Sequence, residues 1–296
     1  MSNDDQNTHN PNDVSRRDFV SLSIAAGLGV ATGATASAQN NAMAMNVTVR
    51  TPDGVCDAAL FHPTRAGRFP GVLLWSDAFG LRPVTRDMGQ RLANEGYVVL
   101  VPNPFYRTAK APVIDDPSSF NFGNPADRQK LTGLMGPLQA DGAAERDAVA
   151  FIAYLDAQSM VDRNKKIGTQ GYCMGGPLVM RTAAAVPNRV GAGASFHGGG
   201  LVTDQPNSPH LLAPKIKARM YFGVASNDDM QQPTAKDTLR QALTAARVSN
   251  EIEVYPSLHG WCMSDMPRQN GAPIYNQADA EKAWAKLLAL YKAALI

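Results

Sequence analysis

The sequence predicts an α/β fold: a mostly parallel central sheet with helices on both faces. From Asn46 onward, short apolar runs alternate with stretches of helical period, the pattern of successive strand–helix units. Tyr97–Val101 is apolar at every position, as a parallel strand buried on both faces requires. A glycine-flanked cysteine, in Gly171-Tyr172-Cys173-Met174-Gly175-Gly176, separates a strand candidate from a helix candidate. Ligands in such sheets gather at the carboxyl ends of strands, so chemistry is sought in the loops that follow them.

The elements come in order. Val55–Phe61 and Pro70–Trp75 are short strands, and Val84–Asn94 is a helix closed by Gly96. After the strand Tyr97–Val101 comes a Pro-, Asn- and Asp-rich excursion, residues 102–137, with no period. So long an irregular piece reads as a functional loop or lid. Helical period resumes over Asp141–Gln158, where Ala148, Ile152 and Leu155 share a face. Lys166–Tyr172 is a strand and Gly175–Val186 a helix. Val190–Phe196, Ala218–Ala225 and Glu251–Tyr255 are further strands, with Pro233–Arg247 and Ala278–Ala293 as the remaining helices. No internal repeat or linker interrupts this stretch, so a single domain over residues 39–296 is expected.

The first 38 residues stand apart. Ser15-Arg16-Arg17-Asp18-Phe19-Val20 leads into a modest apolar stretch, Leu22 to Ala36, that ends at Ala36-Ser37-Ala38. A twin arginine, a short apolar run and an A-x-A site read as a Tat-type signal peptide, residues 1–38, recognised by the Tat export machinery and cut after Ala38. A membrane anchor would need a longer run, uninterrupted by Ser, Thr and Gly. The expected destination is the periplasm or the medium. The chain as a whole is 44% hydrophobic and 18% charged, with a formal net charge of +2 over 296 residues. That balance gives no basis for a nucleic acid or an anionic membrane as partner. Cys56, Cys173 and Cys262 are too few for a disulfide framework, and no Cys/His cluster has the spacing of a metal site.

The Cys173 segment has the form of a G-x-nucleophile-x-G elbow, with Cys where Ser is commoner. With 25 glycines and three cysteines in the chain, G-x-C-x-G is expected about 0.02 times by chance. The glycines permit a turn that lifts the side chain above the sheet. The helix that follows offers unpaired N–H groups and a positive dipole end, both favourable to a thiolate. The plainer alternative is an inert cysteine packed as a small hydrophobe, which is the reading preferred for Cys56 and Cys262.

A thiol nucleophile needs a base, and the base needs an orienting acid. His259, in Leu258-His259-Gly260-Trp261, follows the last strand by a short turn and is the first choice. His197, in Phe196-His197-Gly198, is the alternative base and otherwise a pocket-lining residue. His210, in a Ser-Pro-His loop, reads as a surface residue. The acid should follow the strand Ala218–Ala225, where Asp228 and Asp229 are adjacent. Only one can face the imidazole; Asp228 is favoured, and the other is then a turn or helix-cap residue.

With these residues in place, the sequence resembles the dienelactone hydrolase family over nearly all of the chain after residue 38. The resemblance is carried by Trp75-Ser76-Asp77-Ala78-Phe79-Gly80-Leu81, Leu92-Ala93-Asn94-Glu95-Gly96-Tyr97-Val98-Val99, Pro104-Phe105-Tyr106-Arg107, the Cys173 elbow and Leu258-His259-Gly260. It implies the α/β-hydrolase fold, a Cys-Asp-His triad, and an oxyanion hole made by the N–H groups of Met174 and Ala78. It also implies neither metal nor cofactor, and cleavage of an ester or lactone bond in a small molecule through a thioester on Cys173. Two positions depart from the family pattern. The family's dienelactone enzymes carry a Glu against the resting thiol, just before the second oxyanion donor; here it is Asp77, one methylene shorter. They also clamp a substrate carboxylate with two arginines. Arg107 matches one, but the other position, four residues after the His, is Met263, which argues against a dicarboxylate-like dienelactone. Arg82 is a substitute, or else a surface charge. A second reading is a non-catalytic periplasmic binding or thiol-redox protein on the same scaffold. The redox version would favour a Cys173–Cys262 bridge, which is not expected.

Overall fold

The computed structural model describes residue 1 and residues 42–296, so the expected signal peptide lies outside the described residues. Eight strands form one sheet: β1 (Met43–Thr51), β2 (Gly54–His62), β3 (Gly71–Trp75), β4 (Val98–Pro102), β5 (Ile167–Tyr172), β6 (Val190–Phe196), β7 (Arg219–Ala225) and β8 (Asn250–Tyr255). Their order across the sheet is β1-β2-β4-β3-β5-β6-β7-β8. β1 and β2 are antiparallel, as are β2 and β4, while every pairing from β4 through to β8 is parallel. The chain runs from β3 outward to β4 and then returns past β3 to β5. The carboxyl ends of β3 and β5 therefore flank a point where the winding reverses, the place where ligands settle in open α/β sheets.

The helices are α1 (Pro83–Asn94), α2 (Pro125–Gln139), α3 (Ala143–Asp156), α4 (Gly175–Ala185), α5 (Ser226–Gln231), α6 (Ala235–Ala245) and α7 (Gln277–Leu295). Alternate residues of the central strands enter different cores, because successive strand side chains point to opposite faces. Leu73, Trp75, Val98 and Leu100 pack with Phe151 of α3, Val179 of α4 and Leu239 of α6. Val72, Leu74, Val99 and Val101 pack with Leu92 of α1 and with Leu287 and Tyr291 of α7. Both faces are thus covered, and the sheet agrees with the expected α/β-hydrolase architecture. No helix among the described residues is long and apolar enough to cross a membrane.

The structure adds elements that the sequence pattern did not predict. β1 precedes the first expected strand and pairs along the whole of β2. The excursion at 102–137 is less irregular than expected: a short 3₁₀ turn occupies Pro117–Ser119, and α2 begins at Pro125. Asn124 starts α2 by accepting the Ala126 N–H, and Leu131, Leu134 and Leu138 are buried beneath it.

Candidate active site

Cys173 stands at the carboxyl end of β5 with φ of +53°, a left-handed conformation that is uncommon for a residue with a side chain. Close packing forces the glycines around it. A Cβ on Gly171 would lie 2.1 Å from the Gly175 carbonyl oxygen. A Cβ on Gly175 would lie 2.7 Å from the Trp75 carbonyl oxygen and 2.6 Å from that of Ser76. The elbow is therefore pressed against the end of β3, which brings the Ser76–Gly80 loop beside the cysteine. Among the described residues, neither the Ala78 N–H nor the Met174 N–H has a protein acceptor. These are the two N–H groups that the resemblance names for an oxyanion hole.

His259 lies in the loop after β8. Its backbone N–H donates to Asn227 Oδ1 at 2.8 Å, and its Nδ1 is 2.7 Å from Asp228 Oδ2. Asn227 and Asp228 belong to α5, the short helix directly after β7. Burial alone would lower the His259 pKa. Hydrogen bonds to the Asp228 carboxylate and then to the Cys173 side chain, together with their charges, outweigh that and push it up to about 10. Asp229 turns away and pairs with Lys236 Nζ at 2.6 Å. Of the two adjacent acids, Asp228 is the one at the imidazole. Asn227 has no signature in the sequence beyond its place before that pair.

His197 is in the core rather than on a pocket wall: it is 0% exposed, with φ of +40°. Its Nδ1 accepts the Cys173 N–H at 3.1 Å, which puts the ring hydrogen on Nε2. The ring stands edge-on to His259, with centroids 5.1 Å apart, and to Trp261 at 5.0 Å. Burial, and next the charge of His259, hold its pKa well below the usual imidazole range. His197 is a neutral support under the elbow, and neither a base nor a substrate contact. His210 bonds to Ser208 Oγ.

Two further expectations change. Asp77 is buried, and both of its oxygens are taken by the Arg82 guanidinium at 2.6 and 2.9 Å. Its carboxylate is held by Arg82 rather than turned to the thiol, and Arg82 is no surface charge, being 2% exposed. Arg107 is not brought into the group. Its guanidinium bonds to Asp147 through two nitrogens and to Asp53, in a network with the Tyr106 hydroxyl beside the β1–β2 turn. Cys56 and Cys262 are buried free thiols. Burial, and then Asp279, push the Cys262 thiol up, which makes it unreactive.

A cavity of about 940 Å³ opens beside His259, walled by Phe120, Phe122, Asn227, Asp228, Met266 and Arg268. Phe120 and Phe122 come from the 102–137 excursion and stack edgewise with each other, while Phe120 meets Phe79 at 5.1 Å. That segment does border the site, as a lid would. A second cavity of about 590 Å³ is lined by Met174, Leu138 and Arg181 among others.

Comparison with known proteins identifies the family. The family model described as "Dienelactone hydrolase family" matches residues 56–295. A Synechocystis sp. protein named "Putative carboxymethylenebutenolidase" is 29% identical over 243 residues, which is 80% of this chain and 91% of that one. The carboxymethylenebutenolidase of Rhodococcus opacus is 26% identical, over 82% of this chain and 88% of its own. Among solved structures, a dienelactone hydrolase-like promiscuous phosphotriesterase from metagenomic libraries superposes with a TM-score of 0.70 at 19% identity. It covers 86% of this chain and all of that one, and supports the fold alone. With the elbow, the sheet order and the family match in agreement, the chain belongs to the dienelactone hydrolase family.

Proposed function

We propose that this protein hydrolyses carboxylic ester or lactone bonds of small molecules through a thioester on Cys173. The observation that carries the reading is the Asp228–His259 pair at 2.7 Å, with the His259 ring edge-on to His197, whose Nδ1 accepts the Cys173 N–H; the Ala78 and Met174 N–H groups are without a protein acceptor among the described residues. His259 takes the thiol proton as the Cys173 sulfur attacks the carbonyl carbon, and the carbonyl electron pair moves to oxygen between the Ala78 and Met174 N–H groups. Such a donor contributes about 3–4 kcal/mol to the transition state. Collapse breaks the C–O bond, and the leaving alkoxide takes the proton from the His259 imidazolium. Water then gives a proton to His259 and attacks the thioester, returning the sulfur. Asp228 keeps Nδ1 protonated and the ring oriented throughout. The relatives named carboxymethylenebutenolidase favour a lactone within this class. Purified protein should turn over short p-nitrophenyl esters or simple lactones; absence of turnover across such a panel would favour the binding or redox alternative.

The elevated pKa of His259 fixes the pH dependence. The imidazolium must donate to the leaving group in the acylation step, so kcat/KM, which reports the free enzyme, should hold through neutral pH and fall as the pH climbs through about 10. By linkage, the same elevation stabilises the fold fully below the ordinary value of 6.5, and this is lost as pH rises to about 10. A kcat/KM that already falls near pH 7 would contradict this. The measurement is a pH–rate profile with the uncatalysed rate subtracted.

Export is a separate proposal, resting on Arg16-Arg17 and Ala36-Ser37-Ala38. Changing both arginines to Lys should trap the precursor in the cytoplasm, and the exported protein should begin at Gln39. Uncut chain in the membrane fraction is the result that would defeat it.

A further inference from the structure

Arg82 is the most heavily engaged charged side chain near the site, and the mechanism does not use it. Its side chain is 1% exposed, yet all five of its N–H donors are satisfied. Nη1 and Nη2 grip Asp77 Oδ1 and Oδ2 at 2.6 and 2.9 Å. Nη1 also reaches the Gly80 carbonyl at 3.2 Å. Nε and Nη2 grip Asp265 at 2.7 and 2.8 Å. Two carboxylates are thus held by one planar fork, an arrangement that an ammonium cannot reproduce.

The residues it grips are the two ends of a tight turn. The Gly80 N–H donates to the Asp77 carbonyl at 3.1 Å, and within that turn Asp77 Oδ1 accepts the Phe79 N–H at 3.0 Å. The N–H left over between them is that of Ala78. A donor helps a developing oxyanion only if its direction is fixed before the reaction, and small misplacements are costly. The turn itself holds Asp77 to Gly80; Arg82 locks both ends from outside, and Asp265, six residues past His259 in the chain, holds Arg82 in turn. The Asp77 carboxylate is thereby committed to shaping the turn.

We propose that Arg82 is a positioning residue that aims the Ala78 N–H at the oxyanion, with Asp77 as its grip on the turn and Asp265 as its anchor. This rests on the ester hydrolysis proposed above. Arg82 touches no reacting atom; it acts through the turn.

Two variants test it. Arg82→Lys keeps a charge but loses the fork. Asp265→Ala removes the anchor at a side chain 28% exposed, and so keeps a folded protein available if Arg82→Lys proves unstable. The substrate is p-nitrophenyl acetate, and the transition-state probe is a trifluoromethyl ketone, whose adduct with the Cys173 sulfur carries an oxyanion. Asp265→Ala should lower kcat about 10-fold and Arg82→Lys about 100-fold, with KM within about twofold. The ketone should bind more weakly by the same factors. Alkylation of Cys173 by iodoacetamide, which forms no oxyanion, should stay within about twofold. Unchanged kcat in folded variants would overturn the proposal. So would a parallel fall in alkylation, because the loss would then lie at the Cys173–His259 pair. If the wild type turns over no ester, the parent reading fails and this one falls with it; turnover by wild type and variants alike sinks this one alone.

Discussion

Cys173→Ala is expected to lower ester turnover by at least about three orders of magnitude, close to 4 kcal/mol of transition-state stabilisation. The substitution removes the atom that forms the covalent bond while leaving the rest of the site in place. Ala lacks only the sulfur, the elbow backbone is held by the Cys173 N–H bonds to the Phe196 carbonyl and His197 Nδ1, and both oxyanion donors remain. The residual rate should reflect those donors acting on bound water. Rapid quench and intact-mass measurement sharpen the reading: wild type should carry the acyl group of a p-nitrophenyl ester during turnover, and Cys173→Ala should not. Unchanged hydrolysis in the variant would defeat the nucleophile assignment. An acyl group on another residue would relocate the chemistry.

The sheet, the elbow and the positions of His259 and Asp228 were legible in the sequence because each is a local signal. Apolar runs mark buried strands, and the glycines at 171 and 175 mark a close approach that only glycine tolerates. What was not legible depends on distant neighbours. β1 sits at the sheet edge with most of its side chains at least partly exposed, so its alternation is weak. α2 carries Gly133, Gly136 and Pro137 and reads as a loop. The two glycines have open space around them, and three buried leucines hold the helix in place. Arg82 read as a substrate or surface charge because Asp265 lies 183 residues away and nothing local announces the meeting. His197 looked like a pocket residue after a strand. Its positive φ and its bond to the Cys173 N–H turn it under the elbow instead. Arg107 matched a family position, but Asp53 and Asp147 claim its guanidinium first.

The adjacent pair Asp228 and Asp229 separates local pattern from tertiary placement, and it gives the second large prediction. Asp228→Asn should cost about 10²- to 10⁴-fold in kcat, whereas Asp229→Asn should stay within about twofold. The side chains are nearly isosteric in each case, so the difference is one of charge and tautomer. An Asn amide facing His259 can present N–H to Nδ1, which favours the tautomer with hydrogen on Nε2 and leaves no lone pair there to accept a proton. The same change removes the leading contribution that raises the His259 pKa, so the alkaline limb of kcat/KM should move down from about 10 towards 6.5. Asp229 loses only its pair with Lys236, at side chains 22% and 25% exposed, which amounts to about 1 kcal/mol of stability at most. A stability loss alone would lower the yield of folded enzyme and leave the pH limb where it is. The limb is therefore the decisive readout: a shift in Asp229→Asn with none in Asp228→Asn would transfer the acid role to Asp229.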